Sequence, residues 1–139
     1  MKGIIMSKDQ NIESILKLNK LVFDKIEFER QGFKNDKALE LKIQSNISYR
    51  KDTEVYKVSL EIKGNKPEEY IFDIILSGFF SIEVDGDLAE DLKNSLITKN
   101  SVAILMPYLR SEVSLLTAQP NTECVVLPPF NINSMFEDK

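Results

Sequence analysis

Apolar and polar residues alternate with a period of two through the first two thirds of the chain, then switch to a helical period near Asp85-Gly86-Asp87. Strands are therefore expected first and helices after. Between Ile15 and Glu29 the apolar residues come in three pairs, Leu16 and Leu18, Leu21 and Phe23, Ile26 and Phe28, and the alternation changes phase twice between them. A straight strand cannot keep such residues on one face, so the pattern predicts a bulge or bend near Lys20 and Val22. A polar loop, Gln31-Gly32-Phe33-Lys34-Asn35-Asp36, precedes a second run in which Leu39, Leu41, Ile43, Ile47 and Tyr49 alternate with Glu40, Lys42, Gln44 and Asn46. Tyr56, Val58, Leu60 and Ile62 repeat the alternation, and Gly64-Asn65-Lys66-Pro67 then reads as the break before a hairpin return.

The fourth run carries Tyr70, Phe72, Ile74 and Leu76 on one side and Ile71, Asp73 and Ile75 on the other. A strand apolar on much of both faces belongs at the centre of a sheet or at an interface. Gly78 within it permits a bulge or a close backbone approach. Beyond the switch, Asp87 is placed to cap a short helix through Lys93, and Asn100 or Ser101 a longer one reaching about Ala118. Val102, Leu105, Met106, Leu109, Val113 and Leu116 give the longer helix a broad apolar stripe. Pro107 lies within it and removes the bond to the Ala103 carbonyl, which predicts a kink. Pro128-Pro129 enforces an extended segment before a last turn around Asn133 to Glu137.

These elements imply one α+β domain over 1–139, a four-stranded antiparallel sheet with helices packed on one face. Residues 1–13 are expected to be flexible, 15–83 to form the sheet, 87–118 the helices, and 119–139 the proline segment with a short final helix. The 139 residues and 42% hydrophobic content suffice for one core. No signal peptide or membrane span is read, since Ser7-Lys8-Asp9-Gln10-Asn11 cuts the N-terminal apolar run short.

Charge and chemistry narrow the function. The net charge of −4 disfavours nucleic acid as a partner. With no His at all, the commonest metal ligand and the commonest general base are both missing. Cys124, the lone cysteine, reads as a small hydrophobe in a reducing, cytoplasmic compartment. No enzyme, metal or cofactor is expected, and Tyr108 with Arg110 reads as part of a structural helix. Glu27, Glu29, Glu40, Asp73 and Glu83 read as a solvated sheet face or, alternatively, as a docking patch for a basic partner. Phe33 in a polar loop, Phe79 beside Phe80, and Phe130 after two prolines stand out as apolar residues placed to face outward.

Asn100-Ser101-Val102-Ala103-Ile104-Leu105-Met106-Pro107-Tyr108-Leu109-Arg110-Ser111-Glu112-Val113 resembles the kinked long helix of the SecB family of export chaperones. Leu127-Pro128-Pro129-Phe130-Asn131-Ile132-Asn133-Ser134-Met135-Phe136 is similar to that family's proline segment and the start of its final helix, Ser77-Gly78-Phe79-Phe80-Ser81-Ile82 to the end of its fourth strand, and Val55-Tyr56-Lys57-Val58 to its third. The resemblance covers roughly Ile15 to Phe136. It implies a holdase assembled as a dimer of dimers, with unfolded polypeptides held in apolar grooves and protein export as the task. Phe33, Phe79, Phe80, Met106, Phe130 and Met135 become groove candidates, and Leu105, Leu109, Val113 and Leu116 core or oligomer positions. Docking of the translocation ATPase SecA is implied at Glu29, Ile71 and Asp73, although Lys25 stands where the family pattern has an acidic residue. The sequence ends at Lys139, where the resemblance places the start of a longer final helix. Two other readings keep the fold: a chaperone dedicated to one client such as an antitoxin, or an oligomeric adaptor that binds no client.

Overall fold

The computed structural model describes residues 14–84 and 89–129. Strands β1 (Ser14–Arg30), β2 (Glu40–Arg50), β3 (Val55–Lys66) and β4 (Tyr70–Val84) form an antiparallel sheet in the order β1-β4-β3-β2. The strand apolar on both faces, β4, sits inside the sheet with partners on each edge, as its pattern requires. Helices α1 (Glu90–Ser95) and α2 (Ser101–Thr117) follow, joined by a π-helical stretch over Leu96–Asn100. The expected flexible 1–13, the Asp87 cap and the final turn at 133–137 lie outside the described residues.

Two irregularities in β1 resolve its phase changes. Its register against β4 shifts between Leu18 and Lys20 and again between Phe23 and Lys25, leaving Asn19 and Asp24 as extra residues. Each shift returns the next apolar pair to the core side, so that Leu18, Leu21, Phe23, Ile26 and Phe28 face Phe80, Gly78, Leu76, Ile74 and Phe72. The extra residues are polar, and both bond serines of β4. Asn19 Nδ2 donates to Ser81 Oγ at 3.1 Å, and Ser77 Oγ donates to Asp24 Oδ2 at 2.5 Å. The bulges thus fall one residue before and two residues after the predicted Lys20–Val22 region.

The break predicted at Gly64-Asn65-Lys66-Pro67 comes later, because β3 continues to Lys66 and the chain reverses over Pro67–Glu69. Gly64 belongs to the strand for a packing reason. The Phe72 ring of β4 lies directly over it, in the space a Cβ would need. Glu68 takes the positive φ of the turn, at 68°.

The core is one layer between the sheet and α2. Val58, Leu60 and Ile62 of β3 and Phe72, Ile74, Leu76 and Phe80 of β4 are buried against Val102, Leu105, Met106, Leu109 and Val113 of α2. Gly78 provides a close approach and no bulge in β4, since a Cβ there would stand 2.7 Å from Leu105 Cδ2. Leu116 is only half-buried at the margin of this layer.

The two predicted helices form one continuous helical run from Glu90 to Thr117. Asn100 and Ser101 do not cap a new helix. Ser101 keeps helical dihedrals, and its hydroxyl donates back to the Ile97 carbonyl. Pro107 lies on the exposed side of α2, where the carbonyl it leaves unpaired belongs to exposed Ala103.

After α2 the chain turns at Asn121, with φ 58°, and runs back along the helix. Polar side chains of α2 fasten it there. Ser114 Oγ donates to the Val125 carbonyl at 2.7 Å, Arg110 Nε to the Leu127 carbonyl at 3.1 Å, and the Val125 N–H to Thr117 Oγ1 at 2.8 Å. Leu127 is thereby seated in the core.

Leu105→Ala should cost about 2–5 kcal/mol of unfolding free energy, and Gly64→Ala about 1–3 kcal/mol by forcing Phe72 off its seat. Leu115→Ala on the outer side of α2, where Leu115 is 69% exposed, should change stability by less than about 0.5 kcal/mol. Urea denaturation of the three variants checks this ordering, and equal losses for Leu105 and Leu115 would contradict the described core.

Candidate functional site

Burial separates the groove candidates. Phe80 is fully buried and Met106 nearly so, both inside the core described above, so neither offers a surface to a ligand in this chain. Adjacent strand residues face opposite ways: because Phe80 points under α2, Phe79 points to the far face of the sheet. There its ring lies 5.7 Å from Lys20 Nζ and 5.8 Å from Lys57 Nζ. Phe130 and Met135 lie outside the described residues. Among the four described candidates, Phe33 is the one fully presented apolar side chain, at 82% exposure.

Other exposed apolar residues went unnoticed in the sequence. Ile26 on β1, Val126 in the return segment and Leu115 on α2 are 45%, 78% and 69% exposed. Their periodicity assigned Ile26 to the core face correctly, but α2 covers β3 and β4 and leaves that end of β1 open. Val126 gave no signal, since an isolated apolar residue in an irregular segment has no period. Leu115 and Tyr108, the latter 45% exposed, are seven residues apart on the outer side of α2.

Phe33 belongs to the β1–β2 connection, held on both sides. Arg30, at the end of β1, donates to the Gly32 carbonyl at 2.8 Å and reaches the Asn121 carbonyl at 3.2 Å and the Thr122 hydroxyl. One guanidinium therefore ties the β1–β2 connection to the segment that follows α2. Below it, Phe28 stacks on Tyr70 at 5.0 Å, and Tyr70 lies 6.1 Å from Phe72. On its other side the connection meets the β3–β4 turn, where Lys66 and Glu69 pair at 2.9 Å and both are buried. Burial works to raise the Glu69 carboxyl, but the Lys66 ammonium and the Asn35 N–H outweigh it and hold the carboxyl below its ordinary value.

On the far face, β1 and β4 bring the docking candidates together. Glu29 is the direct cross-strand partner of Ile71, and Glu27 of Asp73. With Glu40, Lys42 and Lys63 they line a shallow depression of about 560 Å³. Lys25 changes its charge. Its ammonium lies 2.8 Å from Asp73 Oδ2 and 3.7 Å from Glu27 Oε1. Burial would raise the Asp73 carboxyl, but the hydrogen bond from Lys25, assisted by Glu61, lowers it; Glu61 is pushed up in turn by its hydrogen bond to Asp73. Glu83, by contrast, lies outside this depression and pairs with Lys17 at 3.8 Å. Among the described residues no group of three or more His, Cys, Asp and Glu side chains could hold a metal ion, and no helix is long and apolar enough to cross a membrane.

No family model matches the chain. An uncharacterized protein of Methanocaldococcus jannaschii is 34% identical over 110 residues, covering 68% of this chain. The chain spans 66% of that relative's length, just under two thirds. Among solved structures, a Mycobacterium tuberculosis SecB-like chaperone, in complex with a ChAD peptide from the HigA1 antitoxin, matches at a TM-score of 0.69 and 12% identity, over 84% of this chain and 91% of the other. A protein of unknown function from Streptococcus agalactiae matches at a TM-score of 0.49 and 12% identity, over 86% of this chain and 99% of the other. The first of these structures defines the class of fold: the chain has the four-stranded antiparallel sheet and C-terminal helix of the SecB-like proteins.

Lys25→Met should lower thermal stability at neutral pH by stranding the Asp73 carboxylate. Asp73 has a depressed folded pKa, so its contribution is present above the ordinary Asp range and is lost as pH falls through the folded value. The gap between variant and wild type should therefore stand unchanged at neutral pH and narrow as pH falls below about 4, as followed by circular-dichroism melting. A gap that stays constant below that pH would mean that the pair does not couple to folding.

Proposed function

We propose that this chain is a polypeptide-binding chaperone of the SecB-like class that holds an extended apolar segment of a restricted set of clients. The observation that carries the reading is a SecB-like fold presenting Phe33 at 82% exposure on the β1–β2 connection. An aromatic side chain held outward in a polar loop offers a large apolar area for a partner to cover. Apolar burial is non-directional, so such a surface accepts varied sequences, and covering one aromatic side chain is worth roughly 1.5–3 kcal/mol. No hydrolysis step enters this reading, and the client leaves by competition or by folding.

Restriction to few clients is supported by two observations. The similar solved structure holds a peptide from an antitoxin, and Lys25 neutralises Asp73 in the patch that SecA-type docking would use. General export remains the second reading, supported by the adjacency of Glu29, Ile71 and Asp73. Assembly into a homo-oligomer is part of the proposal, supported by exposed Tyr108 on the outer side of α2. So is a cytoplasmic location, supported by the exposed free thiol of Cys124.

A library of labelled fifteen-residue peptides, screened against the purified protein with its mass measured by light scattering, tests both readings. Capture of a sparse apolar subset by an oligomer is the expected result, with Phe33→Ser weakening that capture roughly tenfold. Broad capture of unrelated apolar peptides would favour general export. Capture of none would sink the chaperone reading altogether.

A further inference from the structure

The β1–β2 connection has to travel from one edge of the sheet to the other, because the strand order is β1-β4-β3-β2. On the way it passes the end of the central hairpin, and the β3–β4 turn grips it there. The Gln31 and Gly32 N–H groups both donate to the Glu69 carbonyl, at 2.8 and 3.1 Å. The Asn35 N–H donates to Glu69 Oε1 at 3.0 Å, Asn35 Nδ2 to the Pro67 carbonyl at 3.0 Å, and Lys66 Nζ to the Asn35 carbonyl at 3.0 Å. Gly32 runs so close to the Glu68 carbonyl that a Cβ has no room. Two residues, Phe33 and Lys34, bridge the gripped points.

This grip is built from groups that are costly to bury. Glu69 is 0% and Lys66 6% exposed, and Glu69 Oε2 has no hydrogen-bond partner among the described residues. A buried ion pair adds little net stability compared with apolar residues of the same size, and an unsatisfied carboxylate oxygen subtracts from it. What the pair does supply is a fixed geometry for a loop that would otherwise move. A loop that only connected two strands would need no such fixing, whereas a loop presenting an aromatic side chain to a ligand gains affinity from it, because the ordering entropy is already spent.

We propose that the Lys66–Glu69 turn is a clamp that pre-organises the β1–β2 connection as one wall for a bound extended polypeptide, with Lys66, Glu69 and Asn35 as positioning residues. This rests on the chaperone reading above. Affinity then depends on the fraction of molecules with the clamp closed, and releasing it to one closed molecule in ten weakens binding tenfold.

The test uses the full chain and, as probe, reduced and carboxymethylated α-lactalbumin, which stays unfolded, together with the tightest peptide from the library screen. Gly32→Ala pushes the connection off the turn while leaving the ion pair intact; Glu69→Gln removes the charge; Phe33→Ser removes the anchor and leaves the clamp. Hydrogen exchange at the Gln31, Gly32 and Asn35 amides reports the clamp, and fluorescence anisotropy reports binding. Gly32→Ala and Glu69→Gln should lose protection at those amides and bind roughly tenfold more weakly, with β4 and α2 amides still protected. Phe33→Ser should bind weakly with protection unchanged. Should Glu69→Gln fail to fold, Gly32→Ala decides alone. Loss of protection with unchanged affinity, or retained protection in Gly32→Ala, overturns the clamp while the chaperone reading stands; a wild-type chain that binds neither probe overturns both.

Discussion

Strand β4 is hydrogen-bonded along both edges and covered on one face by α2, and the rest of the fold is arranged to keep it so. Its core side carries only apolar residues and Gly78, and Gly78 lets Leu105 of α2 come within van der Waals reach of the backbone. Neighbouring strands must match its register or leave apolar side chains in water. In β1, whose sequence does not alternate regularly, two bulges achieve that match, and the residues they extrude are tied by Asn19–Ser81 and Asp24–Ser77 hydrogen bonds. A one-residue slip without those bulges would invert every side chain beyond it.

The two faces of the sheet then differ in what they can do. One is closed over its middle by α2 and the return segment and open at its margins, where Ile26, Val126 and Phe33 remain exposed. The other carries lysines and carboxylates around the apolar side chains of Ile71, Ile75 and Phe79, with ion pairs at Lys25–Asp73, Lys25–Glu27 and Lys17–Glu83. Recognition of an apolar polypeptide suits the first face. On the second, the Lys25 ammonium offsets the negative charge of Asp73 and Glu27.

Much of this was legible beforehand. The period-two runs located all four strands, the double phase change announced a bulge or bend near Lys20 and Val22 where two are present, and the apolar stripe at Val102, Leu105, Leu109 and Val113 chose the buried side of α2. The site was less legible. Phe33 stood out as an aromatic residue in a polar loop, whereas Phe80 and Met106, also named as groove candidates, lie in the core, where the alternation of β4 and the apolar stripe of α2 place them. Lys66 and Glu69 were missed entirely, because a charged pair around Pro67 reads as a solvent turn until another part of the chain is seen to cover it.

The sequence by itself determined the local and periodic features: which residues alternate, where the chain must turn, and which helix side is apolar. These depend on neighbours within a few positions, and hydrophobic periodicity encodes them directly. Only the tertiary structure decided that β1 and β2 occupy opposite edges, that the connection between them must pass the β3–β4 turn, and that Lys66, Glu69 and Asn35 meet there. Such meetings join residues more than thirty positions apart, and nothing in the local pattern of either segment records the other.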